Sequence, residues 1–291
     1  ANVGARSTRP TGRLTTAARR LGADHATVSR RITSLETALK AKLFERRPQG
    51  YTLTHHGEEL LARAESMETE ALAIQSEISG ADMALSGMVR IGAPDGYGSI
   101  FLAPRLVRHA AAHPGLEVQL VAMPRLLSLS KREADIAVTL APPKEGKIVA
   151  RKLTDYRLRL YAAPAYLATM PPIFTRDDLI GHSVIGYIDD LIFTPELDYL
   201  DEVARGLRPT LQSSNLIAQM QAAIAGGGVC VLPDFMASDE PRLVPVLPEL
   251  VSLERSFWLV VHADLKDVAR VRTTVDFIVR ETKAARGLFL P

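Results

Sequence analysis

The segment DHATVSRRITSLE, residues 24–36, combines a helix-capping residue with hydroxyl groups and two adjacent arginines. The carboxylate of Asp24 can accept hydrogen bonds from the free backbone N–H groups that begin a helix. Arginine can bind guanine through two hydrogen bonds, and serine or histidine can bond bases or phosphates. The polar side of this helix therefore has the chemistry of a nucleic-acid contact. The apolar residues form one helical stripe that we expect to be buried: Val28, Ile32, Leu35 and Leu39.

A shorter helical pattern precedes this segment. Leu14, Ala17, Ala18 and Leu21 lie on one face, and Gly22 ends the helix because glycine readily adopts a left-handed backbone. Two helices joined by a tight glycine turn form a helix-turn-helix, whose second helix lies in the DNA major groove. A helical hairpin with a basic surface and no specific partner is the plainer alternative.

The stretch KLFERRPQGYTLT that follows predicts a small β-hairpin. Phe44 leads into a turn at residues 47–50, and residues 51–53 return. Because arginines lie near its tip, the hairpin is a candidate wing that grips the DNA backbone.

The net charge of +2 conceals an uneven distribution. Residues 1–50 hold eleven Lys or Arg and three Asp or Glu, whereas residues 51–85 hold one Arg and seven Asp or Glu. A basic block of domain size favours a polyanionic partner, although a solvated surface would have the same composition.

Apolar residues at alternating spacings of four and three run through the acidic block. This is the heptad seam of a coiled coil, so we expect a dimerisation helix. A single amphipathic helix packed on its own domain is the alternative. The seam consists of Leu60, Ala64, Met67, Ala71, Ile74, Ile78, Ala81 and Leu85.

Short β-rich runs alternate with helical segments after residue 87. The runs include VRIGA, EVQLVA, DIAVTL, RLRLYAA, SVIGYI, TLQSS, GVCVLP and FWLVVHA, and the helical segments include 99–112, 214–225 and 267–284. This order predicts α/β units with mostly parallel sheets, which bind ligands at the carboxyl ends of their strands.

Residues 14–61 resemble the LysR-type transcriptional regulators. Weaker matches, EADIAV at 133–138 and GGGVCVLP at 226–233, extend the resemblance to roughly residues 13–285. The residues that match the family signature in order and spacing are Ala17, Ala18, Ser29, Ile32, Leu35, Glu36, Leu43, Phe44, Arg46, Thr52, Thr54 and Gly57.

The resemblance implies an α+β multi-domain fold. A winged helix-turn-helix at 1–53 is followed by a linker helix at 54–87 and by two α/β effector subdomains around a cleft, similar to a periplasmic binding protein. The first subdomain takes 88–162 and regains 265–291 from the C-terminus, and the second takes 163–264. The implied partners are double-stranded DNA, a small-molecule effector, further copies of the chain in a homodimer or homotetramer, and RNA polymerase.

Individual site residues carry over from the resemblance. Many relatives have a threonine or serine where this chain has residues 122–124, so the effector chemistry is expected to differ. The DNA-contacting positions are Thr16, His25, Ala26, Thr27, Ser29, Arg30, Arg31, Arg46 and Arg47. The effector positions are Pro94, Ser99, Met123, Arg125, Ser213, Ser214 and Asn215.

The charge of the effector is open to two interpretations at this stage. Helix N-termini beside the cleft favour an anionic or strongly polar group, and Arg125 would pair with an anion unless it is a surface residue. Asp95 would repel a carboxylate, or else it is a cap or turn residue.

We expect neither a cofactor, a metal site nor catalysis. His55 and His56 have no cysteine or carboxylate at ligand spacing, and AGGGV at 225–229 lies in the reverse order from a phosphate loop. The sequence GYGSIF lacks the glycine that a nucleophile elbow needs after its serine. An extracytoplasmic solute-binding protein and an enzyme with an accessory helical domain are therefore the less favoured classes.

The remaining composition predicts a cytoplasmic protein. Cys230 is the single cysteine, no apolar run approaches the roughly 20 residues that span a membrane, and ANVGARSTRP is not a secretory signal. The stretch at 1–13 also cannot present the apolar helix with which family members normally begin. We therefore expect a loosened N-terminal domain.

Overall fold

A computed structural model describes residues 24–47, 50–57, 59–61, 63–64, 67, 85–123, 133–143 and 147–291. The chain divides into two compact units, Ala1–Met83 and Ala84–Pro291, named here the N-terminal and C-terminal units. Several predictions lie outside the described residues: the helix at 14–21 with Thr16, the atypical stretch 1–13, the hairpin tip 48–49, most of the seam between 68 and 84, and Arg125. These stay predictions, as do the domain boundaries.

The described part of the N-terminal unit contains helix α1, a β-hairpin and further helical residues after the hairpin. Helix α1 spans His25–Leu39, and strands β1 (Phe44–Arg47) and β2 (Gly50–Leu53) pair antiparallel with Phe44 opposite Leu53. Residues 55–57, 59–61, 63–64 and 67 are helical as well. The predicted recognition helix and wing are thus confirmed as local structures.

The core of this unit is small and corrects one expectation. Val28 and Ile32 of α1 pack against Leu43 and Phe44 at the start of the wing. Leu39, which the stripe placed in the core, is 46% exposed, because it lies in the last turn of α1, beyond the contact with the wing.

Glu36 joins the recognition helix to the wing. Its Oε1 accepts hydrogen bonds from the backbone N–H groups of Leu43 at 2.8 Å and Phe44 at 3.2 Å, and its Oε2 pairs with the Lys42 ammonium at 2.8 Å. Burial alone would raise the pKa of Glu36, but the bonds from Lys42, Leu43 and Phe44 together hold that pKa below its usual value of 4.5.

The far side of the wing is fixed by Thr54 and Gly57. The Thr54 hydroxyl donates to the Lys42 carbonyl at 2.6 Å and accepts from the Gly57 N–H at 3.0 Å. A Cβ at Gly57 would lie 2.1 Å from the Leu43 carbonyl oxygen, so only glycine fits there. Three residues of the family signature therefore have a physical reason to be where they are.

The C-terminal unit is built on a single mixed sheet. Its strands are β3 (Gly87–Ala93), β4 (Leu116–Ala122), β5 (Ile136–Thr139), β6 (Ile148–Ala162), β7 (Val184–Gly186), β8 (Leu211–Gln212), β9 (Val229–Pro233), β10 (Val244–Val246) and β11 (Leu253–His262). The strand order is β4-β3-β5-β11-β6-β9-β7-β8, with β10 paired to β6.

Helices follow most of these strands. A π-helix spans Tyr97–Leu102, and 3-10 turns occupy Asp177–Gly181, Asp189–Leu191, Pro195–Leu197 and Ala263–Leu265. The α-helices are α2 (Ala103–Ala112), α3 (Pro164–Leu167), α4 (Leu200–Val203), α5 (Leu216–Ile224), α6 (Asp234–Ala237), α7 (Ala269–Ala284) and α8 (Arg286–Phe289).

The expectation of mostly parallel sheets is correct only for the flanks. Strands β4, β3 and β5 pair in parallel and form what we call the β3 half, while β9, β7 and β8 pair in parallel and form the β9 half. Between them β11 and β6 run antiparallel to their neighbours. Because Leu158 of β6 pairs with both β11 and β9, one long strand connects the two halves.

The last long helix, α7, completes the β3 half. Its Arg270 donates from Nε to the Met88 carbonyl of β3 at 2.9 Å, and Thr274 bonds His109 of α2 at 3.0 Å. Thr282 bonds the hydroxyl of Tyr97 at 2.8 Å. The C-terminal segment thus lies against elements that form 160 or more residues earlier in the chain.

Phe289 of α8 closes an aromatic cluster under the sheet. Its ring is fully buried, with centroids 4.8 Å from Phe101, 5.0 Å from Phe235 and 6.1 Å from Tyr97. Rings at these separations stabilise through burial and edge-to-face contact.

We predict that Phe289→Ala lowers the free energy of unfolding of the C-terminal unit by about 3 kcal/mol, because it leaves a cavity among the rings of Phe101, Phe235 and Tyr97. The single tryptophan, Trp258, lies in β11, so its fluorescence during urea unfolding reports on this unit. Leu288→Ala is the matched control, since Leu288 is 38% exposed and should cost far less. Equal losses would show that the cluster contributes nothing beyond the terminal helix itself.

We also predict that Glu36→Ala loosens the wing by about 2 kcal/mol, because two backbone N–H groups lose a charged acceptor. Hydrogen exchange of residues 43–53 should accelerate. The depressed pKa means that the contribution of Glu36 is present above its ordinary pKa and is lost as the pH falls through the lower folded-state value. Lys42→Ala keeps the bonds from the Leu43 and Phe44 N–H groups to Glu36, so residues 43–53 should exchange nearly as slowly as in the wild type. If Lys42→Ala accelerates exchange as much as Glu36→Ala does, the effect belongs to the exposed ion pair between Lys42 and Glu36.

Candidate functional site

Helix α1 begins at a well-formed cap. Asp24 accepts from the Thr27 N–H at 2.7 Å and from the Thr27 hydroxyl at 2.9 Å. The Thr27 N–H is the first cause that lowers the pKa of Asp24, so this carboxylate stays ionised at the helix N-terminus. Thr27 is therefore engaged by the cap, which leaves the residues around it to face outward.

The outward face of α1 carries one arginine at its centre. At 3.6 residues per turn, Ala26, Arg30 and Thr33 fall opposite the buried Val28, and all three are exposed. Arg31 is exposed on one flank and Ser29 is half-buried on the other. The Arg30 guanidinium reaches back to the Thr27 hydroxyl at 3.4 Å.

The remaining predicted DNA contacts divide between the helix and the wing. His25 is the first residue of α1. Arg46 and Arg47 end β1, opposite Tyr51 and Gly50 respectively. The structure therefore brings Ala26, Arg30 and Arg31 to one exposed surface and the two wing arginines to the hairpin end.

A second candidate site is a cavity at the carboxyl ends of the parallel strands. It encloses about 520 Å³ of empty space, its open mouth included. The β3 half contributes the segment 94–97 and Leu140, while the β9 half contributes Tyr187, Leu216, Pro233 and Phe235.

Asp95 is a polar link across this cavity. Its Oδ2 accepts from the Leu216 N–H, the first residue of α5, at 2.6 Å, while Asn215 caps the same helix through a bond from the Ala218 N–H at 2.9 Å. Burial raises the pKa of Asp95, and the N–H groups of Leu216 and Gly96 oppose that shift. Asp95 is a cap, as one interpretation of the sequence had it, but it caps a helix 121 positions away.

The approach of the two halves depends on Gly96. A Cβ there would lie 2.6 Å from the Met236 sulfur and 3.1 Å from a Leu216 methyl group. A side chain at this position would therefore make the Met236 and Leu216 side chains shift where the segment after β3 reaches α5.

Three buried tyrosines line the cavity without using their hydroxyl groups. Tyr156, Tyr187 and Tyr199 are at most 8% exposed, and within the part of the chain that the structure describes none of their hydroxyls has a hydrogen-bond partner. Burial raises the pKa of all three well above its ordinary value, so the hydroxyls remain protonated. Such groups are available to a ligand.

The sequence-predicted effector residues only partly surround this cavity. Pro94 lines it. Ser99 is exposed on the π-helix, and the Met123 N–H bonds the Ala93 carbonyl at 3.1 Å. The Ser213 hydroxyl accepts from the Asn215 N–H at 3.1 Å, so both serve the cap of α5, and Ser214 between them is half-buried. Apart from Pro94, these positions lie outside the cavity lining.

Sequence reasoning missed the aromatic lining. Its members come from the interiors of β6 and β11, from positions just after β7 and β9, and from the turns at 189–199. For Tyr187 and Phe235 the only signal was an aromatic residue just after an apolar run, as in VIGY and VLPDF. That signal does not distinguish a core ring from a cavity ring. The missed residues are Tyr156, Tyr187, Phe193, Glu196, Tyr199, Phe235 and Phe257.

The described residues hold neither an exposed, reactive cysteine nor a cluster of metal ligands. Cys230 is fully buried in β9, and burial raises the pKa of its thiol, which leaves it protonated and unreactive. Among the described residues, no cluster of His, Cys, Asp or Glu could hold a metal ion. No helix of the described ranges is both long and apolar enough to cross a bilayer.

Two family matches cover most of the chain. Residues 8–58 match the family described as "Bacterial regulatory helix-turn-helix protein, lysR family", and residues 84–283 match the "LysR substrate binding domain". The second match alone spans more than half of the 291 residues.

Curated relatives are transcriptional regulators. The chain is 26% identical over 276 residues to the HTH-type transcriptional regulator CrgA of Neisseria meningitidis serogroup C, with 93% of this chain and 92% of the relative covered. It is 29% identical over 269 residues to DmlR of Escherichia coli K12, with 90% and 87% covered.

Solved structures of the family share the fold. The CrgA structure from Neisseria meningitidis superposes with a TM-score of 0.62 at 24% identity, covering 97% of this chain and 98% of its own. A full-length OxyR variant from Pseudomonas aeruginosa gives 0.72 at 18% identity, with 97% and 96% covered. The chain belongs to the LysR family of DNA-binding transcriptional regulators, which are not enzymes, and it carries that family's helix-turn-helix and effector-binding domains.

Proposed function

We propose that this regulator reads DNA with the outward face of α1 in the major groove and responds to a small molecule held in the cavity of its C-terminal unit. The observation that carries the first half is Arg30, exposed at the centre of a capped helix whose opposite face is buried against the wing. An arginine so placed can reach the O6 and N7 atoms of guanine.

The wing supplies the second group of DNA contacts. Arg46 and Arg47 lie at the end of β1, and the bonds of Glu36 to Leu43 and Phe44 fix the start of that strand relative to α1. Because the helix and the wing are held at one separation, base contacts by Arg30 and phosphate contacts by the wing arginines can form together. His25, Ala26, Thr27, Ser29 and Arg31 complete the proposed surface, with Thr16 ahead of it.

The effector part of the proposal rests on the shape of the cavity. Pro94 and Tyr97 come from one half of the sheet and Tyr187 and Leu216 from the other, so a molecule in the cavity contacts both. A ligand that binds one arrangement of the two halves more tightly than another shifts their populations, and this is how a signal could leave the site.

The seam from Leu60 to Leu85 supports assembly. We propose a homodimer through this segment, because a seam of heptad width needs a partner helix. The resemblance to the family implies a homodimer or a homotetramer, and the seam itself does not choose between them. Met67, one of its members, is 63% exposed. A cytoplasmic location and contact with RNA polymerase at the promoter belong to the same proposal.

We predict that Arg30→Ala weakens binding to the specific site by about 1–3 kcal/mol and leaves non-specific binding nearly unchanged. Arg46→Ala should weaken binding to all DNA sequences alike. It should also reduce the slope of log affinity against log salt concentration by about one. Fluorescence anisotropy with DNA from upstream of the protein's own gene, and with a shuffled duplex, at several salt concentrations measures both. Arg272→Ala, an exposed arginine of α7, is the control. Wild-type affinity in both test variants would refute the proposed DNA surface.

A second experiment addresses assembly. Ile74→Glu places a charge in the seam, where desolvation is costly, so sedimentation should show smaller species. DNA affinity should fall with it, because paired half-sites need paired reading helices. Retention of the wild-type assembly would instead favour a solitary amphipathic helix.

A further inference from the structure

The charges that line the cavity have one sign. Asp95 and Glu196 contribute carboxylates, and no lysine, arginine or histidine is among the lining residues that the structure describes. Arg255 lies near Glu196, but its guanidinium is engaged by the Glu202 carboxylate and by the Glu196 and Glu254 carbonyls. Among the residues that the structure describes, an anion in the cavity would therefore meet acidic side chains without a lining cation.

The helix N-terminus that would attract an anion is already occupied. The Leu216 N–H donates to Asp95, and the Ala218 N–H donates to Asn215. An anionic effector at α5 would have to displace a carboxylate that is 5% exposed and held at 2.6 Å. The positive end of this helix is thus neutralised by the protein itself.

Aromatic side chains make up half of the other lining residues. Tyr156 and Phe257 stack with centroids 4.2 Å apart, Phe235 meets Phe257 edge to face at 6.0 Å, and Tyr187 meets Tyr199 edge to face at 6.1 Å. Ring faces attract cations, and the attraction is strongest where water is excluded. The apolar wall also accepts a hydrocarbon or aromatic body.

The free tyrosine hydroxyls add the polar partners that a bound cation needs. Tyr156, Tyr187 and Tyr199 are each more than nine-tenths buried and line the cavity, and their hydroxyl oxygens have no partner among the described residues. A hydroxyl oxygen accepts a hydrogen bond from an ammonium group. Two acidic residues, several aromatic rings and three tyrosines whose hydroxyls have no described partner therefore line the same cavity.

We infer that the effector of this regulator is a small organic cation: an ammonium group, protonated or quaternary, on an apolar or aromatic body. This inference rests on the proposed function, in which the cavity holds the effector. It replaces the anionic effector expected from the helix N-termini, because Asp95 fills the α5 N-terminus.

Four probes of similar size test the inference on the full chain. Benzylamine and benzyltrimethylammonium carry positive charge, phenylacetate carries negative charge, and benzyl alcohol is neutral. At constant ionic strength, the unfolding temperature read from Trp258 fluorescence should rise with the two cations. Calorimetric affinities should be about tenfold weaker for benzyl alcohol than for benzylamine, since the charge-assisted hydrogen bond of the ammonium N–H is lost. Benzyltrimethylammonium, which has no N–H, should keep the contacts of its charge with the rings and carboxylates. Phenylacetate should bind most weakly of the four.

Charge-removing variants locate the effect. Glu196→Gln and Asp95→Asn should each lower the affinity for the two cations about tenfold. The ratio of that affinity to the affinity for benzyl alcohol should fall as well. Glu249→Gln, which removes an exposed carboxylate outside the cavity lining, should bind all probes as the wild type does. If Asp95→Asn disturbs the contact with α5 and fails to fold, Glu196→Gln still decides the question.

The outcomes separate the inference from the proposed function. Tighter binding of phenylacetate or benzyl alcohol than of the cations, with dependence on Tyr187→Ala, would overturn the cationic effector and keep the cavity as the effector site. Stabilisation by no probe at millimolar concentration would also overturn the inference, while the DNA titrations of the Arg30 and Arg46 variants judge the regulatory function independently. Cation binding that Glu196→Gln leaves unchanged would place the cation elsewhere and refute the site.

Discussion

The hydrogen bond from the Leu216 N–H to Asp95 is the interaction on which the C-terminal unit depends. It joins the segment after β3 to the first residue of α5, and so holds the two sheet halves at one spacing. Gly96 eases the approach, because a side chain there would displace the Met236 thioether. The same carboxylate sets the charge of the cavity, so the geometry of the halves and the chemistry of the site have one origin.

In the N-terminal unit, too, a single carboxylate holds two structural elements together. Val28, Ile32, Leu43 and Phe44 form a core too small to fix two elements by burial alone. Glu36 supplies directional bonds instead, and its position near one-tenth exposure keeps those bonds from being weakened by water. A regulator that must place a helix and a wing on one duplex needs that rigidity more than it needs a large core.

Much of the fold could be predicted from the sequence because it is local or periodic. The cap at Asp24, the hairpin opposite Phe44 and the strand ends at Ala93 and Pro233 all follow from spacing and turn chemistry. The antiparallel centre of the sheet could not be predicted, because it depends on strands about 100 residues apart. The cavity could not be predicted for the same reason, because Tyr156, Glu196 and Phe257 come together only after β6 and β11 pair.

The late position of β11 has a consequence for synthesis on the ribosome. β5 and β6 have no partner between them until residues 253–262 emerge, and the β3 half then still awaits α7. Two strand edges therefore stay open while residues 163–252 are synthesised, and such edges invite association between nascent chains. A chain that terminates before β11 cannot complete its sheet. We expect such a product to be degraded by proteases before it binds DNA.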